Sequence, residues 1–123
     1  MKPFILLAML FAHIVDDFSL QGILANFKQK SWWKKHYPDD LYAHDWIISL
    51  LIHAFSWTFM IFIPVFVYNH YQATTGMLVV FVADLLVHSI IDHLKANKLC
   101  INLTTDQLLH IVQVVITFFI LVR

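Results

Sequence analysis

Four apolar segments divide this chain of 123 residues, at about 3–25, 45–68, 75–94 and 105–122. Each is close to the ~20 residues a helix needs to cross a hydrocarbon core. Backbone in such a core must satisfy its own hydrogen bonds, and a helix does so within one segment. The pattern predicts an all-α fold, a polytopic membrane protein whose four transmembrane helices form one bundle over residues 1–123. Composition points the same way. The chain is 60% apolar and 13% charged, whereas soluble domains carry about 25% charged residues. Its formal net charge is zero, so nothing favours nucleic acid as a partner.

Several residues set the expected limits of the segments. Lys2 and the apolar run 4–12 have the form of a signal peptide. We read them instead as the first half of a membrane helix, with Pro3 in its first turn. Pro64 should kink the second span. Thr104 or Thr105 should cap the fourth, with Asp106 near its positive end. The connection 26–44 mixes Lys28, Lys30, Lys34 and Lys35 with Trp32, Trp33, Tyr37 and Tyr42. Such a mixture suits a lipid interface, as an amphipathic helix or as an ordinary loop. The two connections that share a side hold Lys28, Lys30, Lys34, Lys35, Lys95 and Lys98, against Lys2 and Arg123 on the other side. This asymmetry predicts cytoplasmic basic loops and both termini outside.

The apolar segments are not clean. His13, Asp17 and Gln21 recur every four residues in the first, and Asp84, His88 and Asp92 do so in the third, followed by Lys95. Asp106, His110 and Gln113 mark the fourth, and His53 the second. Residues three or four apart share a helix face. Most of these polar residues fall in the cytoplasmic halves of their segments, so four stripes converge on one layer. Ionisable groups at such depth are costly and are functional-site candidates.

Imidazole and carboxylate ligands suit zinc, manganese or iron. The candidate ligands are His13, Asp17, His53, His88, Asp92, Asp106 and His110. Seven exceed the needs of one ion, so one or two divalent ions are expected, the second case with a bridging aspartate. Gln21, Gln107, Gln113 and Asp84 are expected to orient ligands, Asp84 also being open to ligation or proton relay. Asp106, Asp92 and Lys95 are the candidate catalytic groups, with Lys95 holding a substrate phosphate or, alternatively, snorkelling at a helix end. The His–Asp pairs could also simply stabilise their helices. Asp16 is expected to point away from Asp17, and His93 to lie at the interface.

The run from His13 through Asp17 and Phe18 to Gln21 resembles the H-x-x-x-D-F-x-x-Q opening of a small bacterial and phage membrane family known only as a domain of unknown function, DUF3307. His53, His88-x-x-x-Asp92-x-x-Lys95 and Asp106-Gln107-x-x-His110 follow in order over nearly the whole chain. Asp16 departs from the small or apolar residue expected there. The resemblance implies a four-helix protein of a bacterial inner membrane with a polar His/Asp centre, and no established activity.

Three functions fit these residues. The first is a metal-dependent hydrolase of a lipid-linked or phosphate-containing substrate. The second is a proton or metal-ion transporter or channel, disfavoured by the apolar outer halves of the segments. The third is a binding or assembly protein, phage-type or partner-binding, with a structural polar layer. Membrane lipids are expected partners in each, and four short spans favour a homo-oligomer.

Overall fold

The structure, a computed structural model, describes residues 1–123. It is all-helical: α1 (Lys2–Val15), α2 (Leu24–Phe27), α3 (Lys30–His36), α4 (Asp45–Tyr68), α5 (Thr75–Ala96) and α6 (Leu103–Leu121). A π-helical turn, Asp16–Leu20, prolongs α1, and a short 3-10 turn, Asp40–Tyr42, precedes α4. Four helical stretches are long and apolar enough to cross a membrane: Lys2–Leu20, Asp40–Tyr68, Thr75–Ala96 and Leu103–Leu121.

These four pack as a bundle. α1 lies against α4 and α6, and α5 lies between α4 and α6. Facing residues run in opposite order: Asp84 meets Thr117 while Asp92 meets His110, so α5 and α6 are antiparallel. One end of the bundle carries the connection holding α2 and α3 and the α5–α6 turn; we call it the basic end. The other carries the α4–α5 turn and both termini.

The first span is shorter than the sequence pattern suggested, ending at Leu20 rather than near Ala25. Two features cause this. The amide of Gln21 donates to the carbonyl of Asp16, an i→i+5 bond that widens the last turn. Gly22 then adopts a φ of 50°, a left-handed conformation that a residue with a Cβ adopts only under strain. The chain turns back there and α2 folds against α4. At the start of α6 the cap is Asn102, not Thr104 or Thr105: its side chain accepts from the Thr105 amide. α4 runs on through Pro64, which lacks a backbone donor.

The interior is unusual for its polarity. Of the 28 buried residues, Met9, Trp57, Ile61, Phe62, Val65, Met77, Val114, Phe118 and Val122 form an apolar cluster toward the terminal end. His13, Asp16, Asp17, His53, His88, Asp92, Asp106 and His110 are buried as well. Meanwhile Phe4, Leu7, Phe11, Phe55, Phe59 and Phe119 lie more than half exposed. Water would penalise such a surface at about 25 cal/mol per Å² of apolar area, and a lipid environment would not. The arrangement is that of four apolar helices with a polar stripe turned inward.

Because Gly22 carries the reversal, Gly22→Val should destabilise the fold by about 1–2 kcal/mol. Gly22→Asn should cost less, since asparagine tolerates this conformation better. Equilibrium unfolding of the two variants in detergent would check the order.

Candidate metal centre

Each polar stripe reaches the same level through its own helix. α1 and its π turn supply His13, Asp16 and Asp17; α4 supplies Ser56, His53 and Trp57; α5 supplies His88 and Asp92; α6 supplies Asp106 and His110. A regular helix would turn adjacent Asp16 and Asp17 about 100° apart. The widened turn brings both inside, 0% and 7% exposed. Asp16 therefore does not point away, as the helical spacing suggested. Its Oδ1 accepts from Ser56 Oγ at 2.6 Å, and its Oδ2 lies 3.6 Å from His53 Nδ1.

The centre is His53. Its Nε2 is 3.4 Å from Asp17 Oδ1, 3.3 Å from Asp92 Oδ2 and 3.3 Å from His88 Nε2. His88 Nε2 is 3.8 Å from the same Asp92 oxygen. On the other side His110 Nε2 is 3.3 Å from Asp92 Oδ1 and 3.4 Å from Asp106 Oδ1. Asp92 thus offers one oxygen to the His53–His88 pair and the other to His110. Two donors held at ~2.0–2.1 Å on a tetrahedral ion stand about 3.3–3.4 Å apart, so most of these separations match ligand-to-ligand edges. Two groups of three, Asp17–His53–His88 and His88–Asp92–His110, are close enough in all their ligand atoms to hold a metal ion.

Two expected ligands stand outside those groups. His13 Nδ1 accepts from the Trp57 indole Nε1 at 2.8 Å and lies 3.6 Å from Asp17 Oδ2, so this nitrogen is spoken for. Asp106 touches His110 and gives its other oxygen to Lys95 Nζ at 2.8 Å. Lys95 was placed near Asp92 by its spacing; it is Lys28 that pairs with Asp92, at 2.7 Å from Oδ2. Lys28 Nζ also donates to Gln21 Oε1 at 3.0 Å, and Gln21 Nε2 donates to the Asp17 carbonyl. Gln107 spans Asp17 Oδ2 at 3.0 Å and Asp106 Oδ2 at 3.2 Å.

Gln113 and Asp84, expected to orient ligands, form a separate polar set. Gln113 Nε2 donates to Asp84 Oδ1 at 3.0 Å, and Thr117 Oγ1 donates to Asp84 Oδ2 at 2.6 Å. Neither Asp84 nor Gln113 bonds a histidine. Asp84 precedes His88 by one helical turn, on the side of the apolar cluster.

Three residues that spacing did not single out complete the site. Trp57 stacks on His88 with ring centroids 4.2 Å apart, and His88 stacks on His110 at the same distance. Lys28 is held in place through its backbone: Asn97 Nδ2 donates to the Lys28 carbonyl at 3.0 Å, and the Lys30 amide donates to Asn97 Oδ1 at 2.6 Å. Asp16 is the third.

The electrostatics follow from a count. Asp16, Asp17, Asp92 and Asp106 face Lys28 and Lys95, which leaves two negative charges uncompensated while the histidines are neutral. Asp16 Oδ2, Asp106 Oδ1 and the Nδ1 atoms of His53, His88 and His110 are buried without a hydrogen-bond partner. Burying such groups is expensive unless they are paired. One divalent ion, or two imidazoliums, would restore neutrality. The donor set, its spacing and its residual charge all fit a divalent ion. At the basic end a cleft of about 90 Å³, bordered by Gln21, Lys28, Asp92, Lys95, Asp106 and Gln107, leads to the layer.

No family model, curated protein or solved structure matches this chain.

Ser56→Ala should leave Asp16 Oδ1 without its donor inside the bundle and lower stability by about 1–3 kcal/mol. Ser56→Thr keeps a hydroxyl and should cost less. Unfolding midpoints of both variants would show it.

Proposed function

We propose that this chain is an integral membrane protein with an intramembrane His/Asp centre for zinc, manganese or iron near the cytoplasmic face, and that it is a metal-dependent hydrolase. The supporting observation is the run of 3.3–3.8 Å separations among Asp17, His53, His88, Asp92 and His110. Asp17, His53 and His88 would hold one ion. His88, Asp92 and His110 form the other group that could hold one. A bound ion of this kind supplies Lewis acidity and a nucleophilic water at neutral pH.

The chain's own groups take the remaining roles. Asp16, fixed by Ser56, faces the rear nitrogen of His53 and would orient that ring. Trp57 holds His13 and stacks on His88 inside the bundle. Asp106 Oδ1, buried without a partner, can take a proton. The cleft admits substrate from the basic end, where Lys-rich loops would face the cytoplasm.

Two other functions are less well supported. A transporter or channel needs a polar path to the terminal end, and there Met9, Ile61, Val65, Val114 and Phe118 are packed together. A structural polar layer in a binding or assembly protein is favoured by one observation, the two ready-made ion pairs Lys28–Asp92 and Lys95–Asp106. It would need two of the histidines protonated to balance the remaining charge.

Elemental analysis of detergent-purified protein separates these readings. We expect about one or two zinc, manganese or iron ions per chain, in line with a one- or two-ion site. His88→Ala and Asp92→Asn should lose metal, and Asp84→Asn should keep it. Folded wild-type protein that retains no metal after reloading would overturn the proposal.

A further inference from the structure

The cleft at the basic end carries more cationic donors than its carboxylates use. An ammonium has three N–H donors. Lys95 Nζ spends one, on Asp106 Oδ2 at 2.8 Å, and its side chain is 33% exposed. Lys28 Nζ spends two, on Asp92 Oδ2 at 2.7 Å and Gln21 Oε1 at 3.0 Å. The two lysines come from different elements, yet both border the same small space, with Gln21 and Gln107 beside them.

We infer that Lys28 and Lys95 together receive a phosphate-type oxyanion in this cleft, and that its binding is coupled to the metal centre through Lys28. The inference rests on the metal-centre reading and names its substrate class. The coupling follows from a shared atom. Asp92 Oδ2 is at once the partner of Lys28 and a neighbour of His53 Nε2 and His88 Nε2, at 3.3 and 3.8 Å. A divalent ion on that oxygen would stand close to the Lys28 ammonium, and the two cations repel. Lys28 is only 10% exposed at its side chain, so it needs another anion when Asp92 is taken. The cleft is where one can reach it.

The class of anion follows from charge and size. Two ammonium groups with N–H donors to spare suit a group that offers several oxygens, which a phosphate does better than a carboxylate. A volume of about 90 Å³ takes a phosphate and little more. The rest of the substrate must then lie outside the cleft, either in water or among lipid headgroups. Phe18 and Leu103 border the same opening, and both are more than half exposed. The shared chemistry is a phosphate ester, from a soluble molecule or from a lipid headgroup.

The test is calorimetric titration of inorganic phosphate into metal-loaded protein in detergent. Wild-type protein should bind it. Lys28→Gln and Lys95→Gln should each weaken binding about tenfold, the loss of roughly 1.4 kcal/mol, with metal stoichiometry unchanged. Lys28→Arg should recover part of it. Metal-free wild-type protein should bind phosphate more weakly than the loaded form. Competition in nanodiscs identifies the source: displacement by phosphatidic acid, and not by phosphatidylcholine, points to a lipid headgroup, and no displacement by either points to a soluble phosphate. Metal-loaded protein that ignores phosphate, or binds it equally well in both glutamine variants, would overturn the oxyanion site and leave the metal centre standing. Protein that holds no metal would overturn the centre itself and the coupling with it. Should Lys28→Gln fail to fold, Lys95→Gln carries the comparison alone.

Discussion

Buried negative charge is the constraint on which this structure depends. Four carboxylates sit at one level of a bundle whose outer surface is apolar, and two lysines offset only half of them. Uncompensated charge in a low-dielectric interior is not sustained; it is neutralised by a proton, a counter-ion or a metal. Every distinctive feature of the polar layer bears on this balance. The histidines can take protons or ligate an ion. The lysines sit on the Oδ2 atoms of Asp92 and Asp106 while His110 lies between their Oδ1 atoms. The glutamines bridge carboxylates and ammonium groups without adding charge.

The fold supplies the positions. A helix ending in a regular turn would bury one of two adjacent aspartates, and the π turn buries both. Gly22 then sends the chain back so that Lys28 reaches Asp92, 64 residues further along. Asn97 fastens that return segment to the end of α5 by two hydrogen bonds. Trp57 closes the layer toward the terminal end, stacking on His88 and donating to His13, and the apolar cluster begins with it. The cleft reaches the layer from the basic end, and the apolar cluster lies on its other side.

Much of this was legible in the sequence, and the reason is periodicity. Four apolar segments fixed the helical class, and a spacing of four placed His13 with Asp17, His88 with Asp92 and Asp106 with His110. The failures have physical causes. Asp16 was misread because helical spacing assumes 3.6 residues per turn, which the π turn breaks. Lys28 looked like one of several interfacial lysines, since its partner is distant in the chain. Trp57 shares the His53 face at a spacing of four, but an indole in an apolar segment reads as ordinary packing. Asp84 and Gln113 shared the stripe of the ligands, but periodicity fixes a face and not a depth. The two meet each other and Thr117 instead. The early end of the first span had one visible signal, the glycine at position 22.

The most direct measurement is X-ray absorption at the metal edge of protein reconstituted with zinc. A buried centre of this composition should give a shell of nitrogen and oxygen donors at about 2.0–2.2 Å, no sulfur, and the outer-shell scattering of at least two imidazoles. The imidazole signal should fall in His53→Ala and His88→Ala. A shell of oxygen donors without imidazole, unchanged in those variants, would mean that the ion sits elsewhere and that the His/Asp layer is not a metal centre.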